Sequence, residues 1–432
     1  METKIADAGA KARYVLRREL GRVRPAWQSG APVVAAVSGG ADSLALAASF
    51  AQVAAEIGVR PLVAIVDHGL QAGSAEVVER VVGQVRGLGL VASVLRVKVR
   101  SVGEGVEAAA RRARYAALLE FCREKGARVL LTAHTLNDQA EQVLLALARG
   151  SGLKAVAGIA PVRSFAEFEF DAVSAPDVAA GASSVEFLPE EKAGEVGQES
   201  GQGMLLRPFL ALSRAETLEI CAQAGLSPWD DPHNRNPQFL RARVRHELLP
   251  ALQDVLGADV LRSLARTADL AREDVAALDD IARAEFRACL AENWDFGSTI
   301  GLDQKEACEQ TPAEIDAEEK ADSGIFHKNK KNNQDDTQTE PADAVILQAK
   351  KLAKLPQAVR NRVYRLAAKH AAGASFSKQH TAEIDALITH WHGQKALNLP
   401  RTTVLRKGEK LIFYKNSVRP AHIHSAHQTN IR

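Results

Sequence analysis

Short apolar runs alternate with amphipathic stretches between residues 32 and 150. The first run, Val33–Val37, is continuous and ends at glycines, and three further runs also predict strands: Leu62–Val66, Val91–Val97 and Val129–Thr132. Each is followed by helical periodicity, over Leu44–Ile57, Ala75–Leu88, about 105–124 and Asp138–Ala148. Alternation of strand and helix predicts parallel strands joined by right-handed crossovers. We therefore expect an α/β fold with a doubly wound, Rossmann-like parallel sheet.

Two segments interrupt this pattern and lack apolar periodicity. Residues 164–203 are acidic and rich in small residues, and residues 297–344 are acidic and then rich in lysine, asparagine, glutamine and aspartate. Such compositions predict disordered insertions or linkers. The pattern predicts an almost wholly helical region at Arg214–Ala291, and a small α+β domain at Lys350–Tyr414. The predicted division is 1–210, with the first insert at about 164–203, then 211–296, 297–344 and 345–432.

Composition is that of a soluble globular protein, with 46% hydrophobic and 25% charged residues. The net charge of +2 does not by itself indicate a nucleic-acid binder, but much of the acid lies in the two inserts. Four cysteines occur without a C-x-x-C pair, which favours free thiols in a reducing compartment. Met1–Arg24 has no apolar signal-type core, and no apolar run approaches the roughly 20 residues that span a membrane. We expect a cytoplasmic protein without membrane contact.

Polar residues follow three of the four predicted strands. They are Ser38–Ser43 after the first strand, Asp67-His68-Gly69 after the second and His134–Asp138 after the fourth. In doubly wound sheets, ligands bind at the carboxyl ends of the strands. These three polar segments therefore predict a ligand-binding site at that edge of the sheet. His68 and His134 fit either polar contacts in the site or structural histidines at strand ends.

The segment Ser38-Gly39-Gly40-Ala41-Asp42-Ser43 follows a strand and opens a helix. Its glycines allow backbone N–H groups to approach phosphate oxygens, and the helix N-terminus adds positive potential. No G-K-[ST] follows, so the loop is not a Walker A motif. A serine-capped glycine turn is the alternative, which the alanine-rich helix behind the loop and the aspartate inside it disfavour. We predict a loop that binds nucleotide phosphates.

The S-G-G-x-D-S pattern resembles the PP-loop of the ATP pyrophosphatase superfamily, whose members split ATP between its α- and β-phosphates and adenylate a carbonyl oxygen. Further motifs narrow the resemblance to the tRNA(Ile)-lysidine synthase family: Arg111-Arg112-Ala113-Arg114-Tyr115, Leu131–His134, Leu206-Arg207-Pro208, Asp230–Asn234 and Trp391–Pro400. Together these motifs span most of the chain outside the two acidic inserts.

This resemblance implies a ligase that attaches lysine to carbon 2 of the wobble cytidine of a tRNA(Ile) with a CAU anticodon. It implies an adenylated cytidine intermediate, with AMP and pyrophosphate as products. The implied cofactors are ATP and Mg²⁺, and the implied partners are that tRNA and L-lysine. The helical region would then dock tRNA, and the C-terminal domain would bind substrate. The oligomeric state stays open, with a homodimer among the options.

The resemblance also assigns roles to individual residues. The implied ATP contacts are Ser38, Gly39, Gly40, Ala41, Asp42, Ser43 and His134, and the implied metal ligands are Asp42, Asp138 and Glu141. Catalytic roles fall to Asp42, Asp138, Arg111 and Arg114, and tRNA contacts to Arg207, Asp231, Asn234, Arg241 and Arg245. An ordinary solvated basic face is the alternative for Arg111 and Arg114, and a salt-bridged interdomain helix is the alternative for Arg241 and Arg245.

One departure from the family pattern bears on function. The family has two adjacent acids in its H-x-x-D-D-Q-A-E stretch, whereas this chain has Asn137 before Asp138. An amide oxygen coordinates metal without the charge of a carboxylate. Asn137 therefore leaves open a paralogue that binds tRNA without catalysis. A PP-loop tRNA thiolase, which uses the same adenylation but delivers sulfur, is a second alternative. The thiolase alternative requires a cysteine pair near the site, which the sequence lacks.

Overall fold

The computed structural model describes residues 7–69, 73–97, 106–167, 186–187, 203–231, 237–291 and 344–416, without the side chains of 106, 107, 186 and 187. The two predicted inserts, 164–203 and 297–344, lie almost wholly outside these ranges. The chain divides into two compact units, Met1–Val275 and Ala276–Arg432. The four-part division predicted from composition stays a prediction.

A seven-stranded sheet forms the centre of the first unit, in the order β5-β7-β4-β1-β2-β3-β6. The strands are β1 Val33–Val37, β2 Pro61–Asp67, β3 Val91–Arg96, β4 Val129–Leu131, β5 Val162–Ser164, β6 Glu186–Phe187 and β7 Met204–Leu206. Strand β1 is parallel to β2 and β4, and the parallel pairing continues to β3 on one side and to β7 on the other. The two ends of the sheet are antiparallel, through β5 and β6. The four predicted strands and their parallel arrangement are confirmed.

Helices cover both faces of this sheet. They are α1 Ala8–Arg22, α2 Ala41–Ile57, α3 Ser74–Gly87, α4 Val106–Glu124, α5 Leu136–Ala148, α6 Leu153–Val156 and α7 Arg214–Gln223. Val33, Ala35 and Val37 of β1 pack into one core with α1, α2, α3 and α7. Val34 of the same strand packs into the opposite core with α4. Because successive strand residues point to opposite faces, this division is the doubly wound arrangement that the continuous apolar runs predict.

A helical segment follows α7 and packs against α5. It consists of α8 Leu240–Arg243, a π-helical turn Val244–Leu248, α9 Leu249–Leu256 and α10 Val260–Cys289. Val244, Leu249 and Leu261 share a small apolar cluster with Leu136 and Leu145 of α5. This contact fixes α8 and the π-helical turn beside the start of α5, where the site lies.

The second unit is a small α+β domain, as predicted. It contains β8 Val345–Gln348, α11 Ala349–Ala353, α12 Gln357–Ala372, α13 Lys378–Thr389, β9 Leu397–Leu399, β10 Thr402–Lys407 and β11 Lys410–Lys415. The sheet is antiparallel, in the order β8-β11-β10-β9. Arg360 forms a buried ion pair with Asp385, through Nε to Oδ1 at 2.7 Å and Nη2 to Oδ2 at 3.0 Å. The Tyr364 hydroxyl donates to Oδ1 of the same carboxylate at 2.9 Å, so both buried oxygens of Asp385 have hydrogen-bond partners.

The structure also bears on the predictions about cysteines and about membrane-spanning segments. Cys122, Cys221 and Cys289 are buried free thiols, as predicted, whereas Cys308 lies outside the described residues. Within the part of the chain that the structure describes, no helix has the length and apolarity to cross a membrane.

Candidate active site: the phosphate loop and its charged surroundings

The glycine loop lies between β1 and α2, at the carboxyl edge of the sheet. Gly40 is the N-cap of α2 and offers no side chain to its first-turn amides, which are left for an anion. Gly39 has a φ of +84°, and a Cβ at this position would lie 2.5 Å from Cγ2 of Val81 in α3. Only glycine fits both the backbone conformation and this close approach.

Hydrogen bonds within the loop fix its shape. The Ser38 amide donates to Oγ of Ser43 at 3.1 Å, and that hydroxyl donates to the Gly40 carbonyl at 2.9 Å. The Trp229 amide donates to the Gly39 carbonyl at 2.9 Å. Ser43 is buried and Ser38 is exposed. Ser43 therefore supports the loop from inside, and the Ser38 side chain is the one open to a ligand.

Asp42, in the first turn of α2, is held by two residues of α7. Thr217 Oγ1 donates to Oδ1 of Asp42 at 2.6 Å, and Arg214 Nη1 donates to Oδ2 at 3.3 Å. Burial raises the pKa of Asp42, and the negative charge of Asp138 raises it too, while the Thr217 hydrogen bond acts in the opposite direction. The net pKa of Asp42 lies above its usual value. No sequence motif identified Thr217 or Arg214 as part of the site.

Asn137 links the start of α7 to the start of α5. Its Oδ1 accepts a hydrogen bond from the Arg214 amide at 2.9 Å. Helix α7 begins there with a capping box in which Ser213 and Glu216 satisfy each other's backbone amides. The oxygen of Asn137 therefore caps α7, a hydrogen bond that an amide oxygen accepts without a charge. Asn137 thus supplies a contact to the helix that carries both Asp42 partners.

Asp138 and Glu141 of α5 form a closed network with Arg241 of α8 and Arg245 of the π-helical turn. Arg245 Nε lies 2.6 Å from Oε1 of Glu141, and Arg241 Nε lies 2.8 Å from Oε2. Both arginines also reach Oδ1 of Asp138, at 3.1 and 3.2 Å. The Glu141 side chain is fully buried. Two predicted metal ligands and two predicted tRNA contacts therefore lie together as ion pairs.

His134 lies at the end of β4 beside Asp138. Its Nδ1 is 3.2 Å from the hydroxyl of Thr132, and burial lowers the pKa of the imidazole well below its usual range. His134 is therefore neutral at neutral pH. Burial acts to raise the pKa of Asp138, but the positive charges of Arg241 and Arg245 and the hydrogen bond from the Thr135 amide outweigh burial, so the net pKa is lowered. Asp138 is a carboxylate in this site.

Three arginines surround Tyr115 of α4. The guanidinium groups of Arg111 and Arg114 lie 5.0 and 5.2 Å from the centre of its ring. Arg207, directly after β7, is 5% exposed, and its Nη1 donates to the Ala160 carbonyl at 2.6 Å. Tyr115 lies close enough to Arg114 and Arg207 to raise the pKa of both guanidinium groups, against the larger lowering effect of burial. Arg111, Arg114 and Arg207 are called the arginine cluster below.

The remaining predicted residues are less informative. Asn234 lies outside the described residues, and Asp231 is half-buried at the end of a described range. Nδ1 of His68 is buried without a hydrogen-bond partner among the described residues, and burial lowers the pKa of this imidazole. Within those same ranges, no three or more His, Cys, Asp or Glu side chains are arranged to hold a metal ion. Asp42, Asp138 and Glu141 thus form no preassembled metal cage.

The glycine loop at the N-terminus of α2, with strand-end acids beside it, defines a PP-loop nucleotide-binding domain. Residues 15–252 match the family model described as the PP-loop domain, and residues 347–412 match the TilS substrate binding domain. The chain belongs to the tRNA(Ile)-lysidine synthase family.

Relatives of known name agree with this classification. The chain is 38% identical over 389 residues to a tRNA(Ile)-lysidine synthase of Leifsonia xyli subsp. xyli, covering 90% of this chain and 91% of that protein. It is 37% identical over 388 residues to that of Salinispora arenicola, covering 89% and 91%. Among solved structures it is similar to the U34-tRNA thiolase NcsA from Methanococcus maripaludis with its 4Fe-4S cluster, covering 61% of this chain and 79% of that one, at a TM-score of 0.44 and 15% identity. That structural likeness is too low to bear on function.

Proposed function

We propose that this chain is an ATP-dependent ligase that attaches lysine to carbon 2 of the wobble cytidine in a tRNA(Ile) with a CAU anticodon. The main support is the phosphate loop, whose shape is fixed by hydrogen bonds and which is followed by Asp42 in the first turn of α2. Both domains of the chain also match the family. Lysine and the tRNA are the substrates named by the family, and ATP is the substrate expected of the loop.

The reaction needs two displacements. The cytidine oxygen on carbon 2 attacks the α-phosphorus of ATP, and the bond to the β-phosphate breaks to release pyrophosphate. The amine of the lysine side chain then attacks carbon 2, the carbon–oxygen bond breaks, and AMP leaves with the oxygen while the amine loses its proton. Loop amides and the N-terminus of α2 are placed to stabilise the charge that develops on pyrophosphate.

Mg²⁺ is part of this proposal. The ion usually binds through one or two carboxylates together with substrate phosphates and water, so it needs no all-protein cage. Asp42, which has one face toward solvent, and Asp138 are the carboxylates that fit this role. Bound there, Mg²⁺ would offset the charge of the phosphates. Glu141 fits it less well, because it is fully buried and both of its oxygens are paired with arginines.

We infer that Arg241 and Arg245 serve first as counter-ions of Asp138 and Glu141. Contact with tRNA phosphate, the role that the family resemblance implies for them, would require these ion pairs to open. Asp231 and Asn234 stay predicted tRNA contacts. A cytoplasmic location and a homodimer also stay predictions.

The thiolase alternative is less well supported. Burial raises the pKa of Cys122 to about 12 and of Cys221 to about 11. Thiols with such pKa values do not supply the thiolate that sulfur transfer requires. The described cysteines therefore behave as core residues.

The proposal is tested by incubating the purified chain with ATP, Mg²⁺, labelled lysine and an unmodified tRNA(Ile) with a CAU anticodon. We expect label in the RNA that depends on ATP, and a matched tRNA with uridine at the wobble position should receive none. Absence of label in the CAU tRNA, with ATP still bound by the protein, would reject the ligase and favour the non-catalytic paralogue.

A further inference from the structure

The small α+β domain of the second unit carries a large excess of positive charge. Residues 344–416 contain fourteen lysines and arginines but only three acidic residues. Two of these acids are already paired within the domain, Asp385 with Arg360 and Glu409 with Lys350. The excess charge attracts an anionic partner to the surface of this domain.

The chain just before this domain has the opposite composition. Residues 292–343, called the acidic segment below, contain fourteen aspartates and glutamates but five lysines. Opposite charges on two parts of one chain attract each other, and the covalent link raises their effective concentration to about the millimolar range. The acidic segment is therefore the anionic partner that this domain meets first.

Both ends of the acidic segment lie at the same end of the small sheet. Leu290 forms an antiparallel bridge with Leu347 of β8, and the Ala291 amide donates to the Ile346 carbonyl at 3.0 Å. The chain therefore runs backwards along β8 as it enters the acidic segment, and it returns at the first residue of β8, Val345. The acidic segment is a loop that begins and ends at the amino end of β8.

Two exposed basic residues lie at this same end of the sheet. Val345 pairs with Phe413, so two positions further along β11 the strand reaches Lys415. The Asn416 amide donates to the Arg401 carbonyl at 3.0 Å, which places the turn between β9 and β10 beside the end of β11. With neighbouring strands about 5 Å apart, both backbone positions lie within roughly 15 Å of the amino end of β8. Arg401 and Lys415, both exposed, are called the basic sheet end below.

We propose that the acidic segment docks on the basic sheet end, and that RNA phosphates have to displace it. Its 52 residues span up to roughly 170 Å when extended, whereas a domain of this size has a radius of gyration of about 11 Å, so its length does not prevent the contact. Carboxylates and phosphates are both anionic partners of exposed lysine and arginine, so the two ligands compete for the same side chains.

The competition with RNA rests on the tRNA substrate proposed above. When one ligand must first displace another, its apparent affinity falls in proportion to the fraction of free sites. The acidic segment would thus weaken RNA binding by the fraction of time it spends docked. Because both contacts are between charged groups near the surface, salt weakens each of them.

The first test measures the Kd of the CAU tRNA for the full chain at about 50 and about 200 mM salt. In one variant, the eight acidic residues between positions 303 and 322 are changed to asparagine or glutamine. This variant should bind the tRNA on the order of tenfold more tightly at the lower salt, and the gain should shrink at the higher salt. The opposite variant, with the five lysines of the acidic segment changed to glutamine, should bind the tRNA more weakly.

A double-mutant cycle locates the contact. In a chain that carries Arg401→Gln with Lys415→Gln, neutralising the same eight acids should no longer tighten tRNA binding. Lys407→Gln is the matched control, because Lys407 is exposed at the opposite end of β10, where it pairs with Lys410 rather than with the strand end near Lys415. In that background the gain should persist.

A second measurement detects the docked segment without RNA. A water-soluble carbodiimide joins a lysine amine to a carboxylate in direct contact, and mass spectrometry identifies the joined peptides. Lys415 should be joined to the acidic segment more often than Lys407, and saturating tRNA should remove these products. Equal reaction of the two lysines, or products that persist with tRNA bound, would overturn the proposal.

The affinity data contradict the proposal in two further ways. Neutralised acids that leave the Kd unchanged, while Arg401→Gln with Lys415→Gln weakens tRNA binding, would make the basic sheet end a contact to RNA alone. A gain that survives in the Arg401→Gln and Lys415→Gln background would show that the acidic segment acts through net charge and not at this place. If the wild-type chain bound no tRNA, the proposed function would fall, and the carbodiimide products would still decide the docking.

Discussion

At the scale of single residues, the site depends on how Asp42 is held. Its two oxygens face Thr217 and Arg214, which come from a helix far along the chain. Thr217 is fully buried, and its Oγ1 lies 2.6 Å from Oδ1 of Asp42, so burial keeps this hydroxyl away from water and directed at the carboxylate. The orientation of Asp42 toward the phosphate loop is therefore set by α7 as much as by α2.

Thr217→Val tests that orientation with little change in shape. Removal of the hydroxyl leaves one oxygen of Asp42 without its donor, which should cost about 1–3 kcal/mol of unfolding free energy. ATP-dependent turnover should fall about tenfold or more, because the carboxylate loses its fixed position. Urea unfolding and AMP release measure the two effects. Thr217→Ser should be close to wild type in both, and equal losses in both variants would assign Thr217 a packing role only.

Asp42→Asn should separate stability from activity through its pH dependence. The pKa of Asp42 is raised in the folded chain, so the folded state binds more protons than the unfolded state between the ordinary value of 3.8 and the raised value. Stability should accordingly fall as pH rises through that window, and the loss should persist at neutral pH. The asparagine variant lacks this loss and should gain stability relative to wild type as pH rises, while its ATP-dependent activity disappears. A stability difference that does not change with pH would contradict the raised pKa.

At the scale of elements, α5 contacts the segment of α8 and the π-helical turn in two ways. One contact is the apolar cluster, and the other is the ion-pair network of Asp138 and Glu141 with Arg241 and Arg245. Glu141 is fully buried with two arginine partners, and Arg245 is the more buried of the two. Removal of one partner from such a pair costs far more than the pair contributes, because a buried charge loses its balance. The ion-pair network therefore holds the start of α5, which carries Asn137 and Asp138, in a fixed position relative to α8 and the π-helical turn.

Arg245→Met should lower the free energy of unfolding by about 3–5 kcal/mol. Its control is Arg243→Met, which removes an exposed ion pair to Glu247 four residues along the helix and should cost at most about 0.5 kcal/mol. Urea denaturation measures both. Restored stability in the double variant Glu141→Gln with Arg245→Met would confirm the counter-ion role. Unchanged stability of Arg245→Met, with weaker tRNA binding, would support the phosphate contact instead.

The sequence predicted most of these elements for physical reasons. Strands β1, β2 and β4 are apolar runs because the sheet buries them on both faces, and the glycine loop stands out because Gly39 needs a positive φ. Strands β5, β6 and β7 have two or three residues each, too few to show periodicity. Thr217 was not predicted because it lies 175 residues from Asp42, and a threonine in a helix gives no local sign of a distant carboxylate.

At the scale of the whole molecule, the two units carry different family matches on one chain. The first unit contains the phosphate loop, the Asp42 contacts, the ion-pair network and the arginine cluster. The second unit contains the region matched by the substrate binding domain, around its own polar core at Asp385. We therefore assign the proposed adenylation chemistry to the first unit, and the presence of both family matches on one chain makes the ligase assignment specific.

The most direct test of that assignment is to react the chain with ATP, Mg²⁺, lysine and the CAU tRNA, digest the RNA to nucleosides, and count lysidine and AMP together. We predict lysidine at the wobble position in equal amount to the AMP formed, with the γ-phosphate recovered in pyrophosphate, and neither product from Asp42→Asn. ATP consumption that yields orthophosphate, or AMP without lysidine, would contradict the account.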